Sequence, residues 1–310
     1  MIAFLLSRAA YYLSIFLGIV VLTFVLFHMV PKDPARTILG ANAEQSQVDQ
    51  LREKLGLNNP LHRQFANYLS SVADLDFGTS YVDGRNVFQE VSQRLILTLA
   101  LVGLSFTITF LYVMAVVAAF LRPRLLKLTD WLDFLMSSLP VFFSGILVAM
   151  GVFWVSPVTT FSGSLGNVSD WLYLLAPALV LAFYPMAILS GIVKQELTRI
   201  LESTFVQAHQ AWGFSSQSIV FVYAFKNALI PLLSAISNIL PMLLTGAFIV
   251  EIIFSLPGLG SLLISSIMEQ DFPMLECTVI VNGAFFVVLN FIFELVYPQV
   301  DPRIMRRSRA

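Results

Sequence analysis

The chain has 310 residues, of which 57% are hydrophobic and only 12% charged, with formal net charge −1 and mean hydropathy +0.81. Soluble domains carry about 25% charged residues, so an ordinary water-facing surface is excluded, and near-neutrality gives a nucleic-acid partner no support. A lone cysteine, Cys277, excludes an internal disulfide framework and a Cys-rich metal site, and three widely separated histidines (His28, His62, His209) form no histidine-rich centre.

In chain order, six apolar stretches are long enough to cross a bilayer, for which ~20 apolar residues suffice. They run at about 9–30, 97–121, 133–155, 171–193, 229–250 and 278–298. The first ends in His28-Met29-Val30-Pro31-Lys32-Asp33 instead of a small-x-small cleavage site, so it reads as an uncleaved span. Lipid offers no hydrogen bonds to the backbone, so each stretch is expected to be a helix. Pro177 and Pro185 in span four, and Pro231 and Pro241 in span five, predict bends. The chain thus divides into 1–30 (N-terminus and span one), 31–96 (an outer helical segment), 97–298 (the core with spans two to six) and the tail 299–310.

Orientation follows from lysine and arginine in the short loops. Arg8, then Arg122, Arg124 and Lys127, then Lys194, Arg199 and Lys226, then Arg303, Arg306, Arg307 and Arg309 all fall on one side of six alternating spans. The loops 156–170 and 251–277 contain neither residue type, which places both termini in the cytoplasm. Segment 31–96 carries several cations, but long loops translocate largely regardless of charge. It contains two helical patterns, residues 46–56 ended by Gly56 and residues 60–73 with Leu61, Phe65, Tyr68, Leu69 and Val72 at helical spacing.

No phosphate-binding loop, H-E-x-x-H, G-x-S-x-G or metal-ligand spacing occurs. Glu294 is the one acid well inside a span, near the cytoplasmic end of span six. Energy for transport is therefore expected from a partner. The segment at about 199–228 is where one can act. Phe205, Ala208 and Trp212 fall near one face of a short helix that Gly213 stops. Aromatic residues offered to water mark either a docking site or a helix lying on lipid headgroups. After span five, Pro257-Gly258 and Gly260 turn the chain sharply back, and the apolar run Leu259, Leu262, Leu263, Ile264 and Ile267 makes either a re-entrant helix or an ordered outer loop. Ser234, Ser237 and Asn238 in span five, with Asn282 and Asn290 in span six, are either pathway-lining groups or interhelical glue.

The segment around Gly213 resembles the coupling-helix (EAA) loop of ABC importer permeases, whose pattern is Glu-Ala-Ala, three residues, then Gly. Here Gln207-Ala208-His209 precedes Gly213, so Ala208 and Gly213 match, the Glu is absent, and the distance to Pro231 is longer than usual. The nearer resemblance is to the dipeptide/oligopeptide/nickel branch of that family. It rests on Phe225-Lys226-Asn227-Ala228-Leu229-Ile230-Pro231, on Pro31-Lys32-Asp33-Pro34-Ala35 (Lys32 standing where Gly is usual) and on Leu55-Gly56-Leu57-Asn58-Asn59-Pro60-Leu61. Asp76-Phe77-Gly78-Thr79-Ser80-Tyr81, then Leu139-Pro140-Val141-Phe142 with Gly145 (similar to the family's Leu-Pro-x-Phe turn in span three), the block Glu251-Ile252-Ile253-Phe254-Ser255-Leu256-Pro257-Gly258-Leu259-Gly260, and Asp301-Pro302-Arg303-Ile304 continue it in order.

The resemblance implies an all-α membrane protein of six transmembrane helices, a type I ABC importer permease bundle in the bacterial inner membrane. It implies a heterodimer with a second homologous permease, two ABC ATPase subunits, and an extracytoplasmic substrate-binding protein. No cofactor is expected on this chain itself; ATP and Mg belong to the ATPases. Coupling residues would be Phe205, Gln207, Ala208, His209, Trp212 and Gly213, and Glu251, Pro257, Gly258 and Gly260 would form the outer re-entrant element. The cargo stays open among dipeptides, longer peptides, nickel or another metal chelate, and glutathione-like molecules. An ion- or proton-coupled secondary transporter is the alternative, with Glu294 as its focus.

Overall fold

The computed structural model describes residues 2–29, 34–40, 43–54, 56–155 and 168–300, with side chains omitted at 2–5, 34, 155, 168–170, 205 and 296–300. The Pro31-Lys32-Asp33 turn, most of the loop 156–170 and the tail carrying Asp301-Pro302-Arg303 lie outside the described residues. Thirteen α-helices are described, with no strand among the described residues. Among the described residues five helices are long and apolar enough to cross a membrane, or six if one bent pair is counted as a single crossing. The expected all-α bundle is therefore present. The chain forms two compact units, Met1–Leu97 with Pro257–Phe291, and Thr98–Leu256 with Ile292–Ala310.

The first unit is built on the apolar helix α1 (Ile2–Met29). Three short helices follow: α2 (Pro34–Leu39), α3 (Gln45–Lys54) and α4 (Leu61–Asp74). The two sequence-predicted outer helices correspond to α3 and α4 within two residues, whereas α2 had no signal. The pattern of α4 works as an aromatic face. Phe65 and Tyr68 lie 5.0 and 5.3 Å, ring to ring, from Phe24 of α1, and the Tyr68 hydroxyl donates to the Val20 carbonyl (3.1 Å). Burial and the nearby Glu276 carboxylate push the Tyr68 phenol pKa above its usual value. Later in the chain come α12 (Leu259–Glu269) and most of α13 (Phe272–Val300). A β-carbon at Gly283 of α13 would stand 3.0 Å from Ile19, so the glycine lets α13 approach α1 closely. The segment Asp76–Tyr81 is held by Asp271: the Ser80 hydroxyl donates to Oδ2 (2.5 Å) and the Tyr81 amide to Oδ1 (3.2 Å).

The second unit holds α5 (Val87–Ala119) from Thr98 onward, α6 (Pro123–Ser138), α7 (Val141–Val155), α8 (Val168–Leu201), α9 (Thr204–Ala211), the single turn α10 (Ser216–Ser218), a π-helical segment at Ile219–Ala224, and α11 (Phe225–Ile253). Helix α8 is its centre and packs on α6, α7 and α11. A β-carbon at Gly246 would meet Leu181 at 2.9 Å, and one at Gly145 would meet Ile253 at 2.9 Å, so small residues set these helix approaches.

Span three departs from expectation. The stretch 133–155, read as one span with a turn at Leu139–Phe142, is two helices, α6 and α7, bent by 107°, and the first of them starts ten residues earlier at Pro123. The cause is local: Pro140 forces the preceding residue out of the helical region, and Leu139 sits at φ −98°, ψ 124°. The Pro140 carbonyl then opens α7 by accepting from Phe143 and Ser144 (3.0 Å each). The other four prolines behave differently, because α8 runs unbroken through Pro177 and Pro185, and α11 through Pro231 and Pro241. Packing inside a bundle tolerates such prolines where a free helix would not. Helix α5 begins ten residues earlier than the apolar stretch, because its first turns carry Gln89, Glu90, Gln93 and Arg94.

Candidate functional site

Two features of the second unit gather most of the expected site residues: the short helix α9 and a cavity beside it. Helix α8 extends to Leu201 and the next helical run begins at Ser216, so the polar link is only 202–215, with α9 inside it. The end of α9 is a Schellman motif. The Gly213 amide donates to the Gln210 carbonyl (3.0 Å), the Phe214 amide to the His209 carbonyl (3.1 Å), and Gly213 adopts φ +83°. A β-carbon there would have space around it, so the requirement for glycine is conformational.

The two faces of α9 differ in chemistry. Val206 and His209, one turn apart, are buried at 1% and 9% exposure. Gln207, Ala208, Gln210 and Ala211 are exposed, and Trp212 is 74% exposed. Phe205 lies in the helix, and its side chain is outside the described residues. The expected outward face therefore holds for Ala208 and Trp212, whereas His209 turns inward. There its ring meets Trp212 (5.6 Å), Phe214 (5.1 Å) and Tyr223 of the π-helical segment (4.7 Å), while Phe214 and Tyr223 meet edge to face at 5.7 Å.

The cavity, of ≈ 920 Å³, lies between α8 and α11. Gln195, Glu196 and Arg199 line it from α8, and Asn227, Ser234 and Asn238 from α11. It reaches Ser203, the residue that caps the start of α9. Glu196 and Arg199 pair within it, through contacts of 2.6 and 3.1 Å to Glu196 Oε2. Ser234 and Asn238 are thus brought together. Asn238 donates to the Ser234 carbonyl (3.1 Å), as Asn227 does to that of Tyr223 (2.7 Å), which fixes both amides along their own helix. Ser237 also bonds the Ser234 carbonyl (2.8 Å), but it is not part of the cavity wall. Asn282 and Asn290 lie on α13 in the other unit, where Asn290 donates to the Phe286 carbonyl (2.8 Å).

The outer turn is placed differently from expectation. Glu251, grouped with the loop, lies in the last turn of α11, fully buried, and accepts from Thr98 Oγ1 (2.6 Å). Helix α11 then closes with Leu256 N–H to Glu251 C=O (2.8 Å) around Ser255 at φ +53°. Pro257 and Gly258 lead into α12, an eleven-residue apolar helix whose N-terminal cap is Gly258 and whose second residue is Gly260, both glycines buried.

One cluster had no signature in the sequence. Lys194 of α8 reaches Asp133 Oδ2 (2.6 Å) and Asp130 Oδ1 (2.7 Å) on α6. Asp133 also accepts from Ser190 Oγ (2.6 Å) and from Tyr112 of α5 (2.7 Å). Lys194 and Asp133 side chains are each 15% exposed, so this is a largely buried charged tie among three helices. Its traces in the sequence are the spacing of Ser190 and Lys194, four apart on α8, and that of Asp130 and Asp133, three apart on α6.

Comparison with known proteins identifies the family. The family described as binding-protein-dependent transport system inner membrane component matches residues 112–306, and the family of the N-terminal part of such membrane components matches residues 1–102. A putative peptide transport system permease protein of Brucella suis biovar 1 is 31% identical over 321 residues, 98% of this chain and 99% of the relative. A dipeptide transport system permease protein of Alkalihalophilus pseudofirmus is 27% identical over 98% of this chain and 99% of its own. A glutathione transport system permease protein of Escherichia coli strain K12 is 30% identical over 92% of each. The secondary-transporter alternative receives no support from these relatives. The chain belongs to the family of binding-protein-dependent transport system inner membrane components, and it is a multi-pass inner-membrane permease subunit of an ABC importer.

Proposed function

We propose that this chain forms one half of a translocation pathway for peptides or similarly small polar solutes, moved by ATPases that dock on α9. The family implies ATPase and substrate-binding partners. The finer assembly is a heterodimer with a second, homologous permease, two ATPase subunits that hold ATP and Mg, and an extracytoplasmic binding protein that delivers cargo. Both termini face the cytoplasm, because every short loop rich in lysine and arginine then lies inside.

The observation that carries this reading is the cavity reaching from Asn238 to Ser203. One continuous space touches both the polar face of α11 and the start of α9. A displacement of α9 by a partner therefore acts at the cavity wall itself. The exposed Trp212 and the small, uncharged outer face of α9 suit insertion into a cleft on another protein. ATP-driven closure of the partner would bias a bundle with two states, and it shifts the equilibrium only as far as it binds the two states differently. For cargo, the names of the relatives favour peptides and glutathione over nickel.

The test is purification of the tagged chain from its own host in mild detergent, with mass spectrometry of what co-purifies. Recovery of a second six-span permease together with P-loop ATPases supports the assembly. The binding protein encoded with them, assayed calorimetrically against di- and tripeptides, then identifies the cargo class. A chain that purifies alone as an intact bundle refutes the proposal.

A further inference from the structure

Resting on the reading that ATPases dock on α9, we infer that His209 is a positioning residue that ties α9 to α11 through Tyr223, so that the two helices move as one body. An eight-residue helix has little stability of its own. Its backbone connections are a turn at Glu202 and Ser203 before it and the Schellman turn at Trp212 to Phe214 after it. Connections of that kind are soft to hinge motion, so force applied to α9 needs a side-chain route to reach the spans. His209 supplies one. Among the described side chains it is the buried aromatic ring of α9, and the shortest of its described ring contacts, 4.7 Å, is with Tyr223, fourteen positions along the chain. Phe214 closes the cluster from the turn between them.

The receiving end is unusual. Tyr223 lies in the π-helical segment Ile219–Ala224, which runs without a break into α11. There the Phe225 amide donates to the Val220 carbonyl, five residues back. Short π segments occur mostly at functional sites, because the wider turn is less well bonded and rewinds readily. Four residues after Tyr223 stands Asn227, the first α11 residue in the cavity wall, followed by Ser234 and Asn238. The chain of contacts is thus α9, His209, Tyr223, α11, cavity.

The experiment measures the distance between spin labels by pulsed electron spin resonance. Labels are placed at Gln210 on α9 and Met242 on α11, both exposed, in a background where the buried Cys277 is replaced by alanine. The complete complex purified from the host is compared without nucleotide and after trapping with ATP and vanadate. With His209 present, the distance is expected to be the same in both states. In His209→Ala or Tyr223→Ala, trapping is expected to persist while the distance shifts between states by on the order of 2–5 Å, the range of interface helix shifts and one-turn ratchets. His209→Phe, which keeps a ring at the contact, is expected to restore the single distance. Tyr223→Ala leaves the outer surface of α9 intact, so it reads the joint even where His209→Ala weakens docking. An unchanged distance in both alanine variants overturns the joint and leaves the docking of α9 standing. Absence of any ATPase from the unsubstituted complex overturns the docking reading itself.

Discussion

Replacing Lys194 with methionine is expected to be among the most destabilising single changes in the second unit. Methionine keeps the length of the side chain and removes the charge, so packing along α8 is largely preserved. What is lost is the cation 2.6 Å from Asp133 Oδ2, in a site where both side chains are 15% exposed. Removing one partner of a buried pair costs about 3–5 kcal/mol, because the other charge is left in a poor medium. Asp133 keeps two hydroxyl donors, Tyr112 and Ser190, which favours the lower end, about 3 kcal/mol. The second carboxylate, Asp130, is 62% exposed and contributes no more than about 1 kcal/mol. Asp133→Asn combined with Lys194→Met removes both charges and is expected to cost less than Lys194→Met alone. The assay is SDS-titrated unfolding in detergent, followed by the fluorescence of Trp131, which lies between the two aspartates on α6. A Lys194→Met cost below about 0.5 kcal/mol, the level of ordinary surface substitutions, would show that the cluster is solvated and that α6 is not tied to α8 by charge.

Further outcomes follow from other positions. Ser255 and Leu75 occupy the left-handed position after α11 and α4, at φ +53° and +57°, so Ser255→Gly and Leu75→Gly are each expected to stabilise by roughly 1 kcal/mol in the same unfolding assay. Gly213→Pro cannot adopt φ +83° and removes the amide bonded to Gln210, and Trp212→Asp puts a charge on the docking face. On the proposed docking of ATPases at α9, both are expected to leave the chain inserted and to abolish transport-coupled ATP hydrolysis, measured in proteoliposomes of the complete complex. Gly246→Val drives a branched side chain towards Leu181 and is expected to cost about 1–3 kcal/mol through the α8–α11 contact. Arg85 holds the Asp83 carboxyl at about 2, chiefly through its side-chain hydrogen bonds. A depressed carboxylate contributes its stability above the ordinary value of ~3.9 and loses it as pH falls towards 2. Hydrogen exchange of residues 81–86, corrected for intrinsic rates, is therefore expected to accelerate between about pH 4 and pH 2, and Asp83→Asn to show the acid-side rate already at pH 6.

Much of the fold is written in composition, because lipid allows only helices where no water can bond the backbone. The apolar stretches located the spans, and the amphipathic pattern of 60–73 located α4. What the sequence left open came from packing between distant residues. Pro140 breaks its span whereas Pro177, Pro185, Pro231 and Pro241 do not; only the resemblance of Leu139–Phe142 to a turn set the first case apart, and the size of the bend was not legible. The early start of α5 was hidden by Glu90 and Arg94, which pair with one another on its first turns at 2.7 Å and so need no apolar setting. Glu251 looked like a loop acid because charge is rare inside spans; its burial depends on Thr98, 153 positions away. On α9, Trp212 and Gly213 were legible from the amphipathic spacing and the helix stop. The inward turn of His209 was not, since its ring partners lie beyond the helix. The Lys194 cluster draws on three helices, and the i,i+3 and i,i+4 spacings within α6 and α8 do not show that the two helices meet there.

The docking of ATPases on α9 is the claim on which the rest depends, and site-specific photo-crosslinking tests it most directly. A photoreactive amino acid is placed singly at Gln207 and at Ala211, on the exposed face of α9, and at Met268 on α12 as a control, then irradiated in host membranes. Adducts with a P-loop ATPase from the two α9 positions, and none from Met268, are the predicted result. Adducts from α9 to lipid alone, with the chain inserted and its transporter active, would contradict the account and make α9 an interfacial helix.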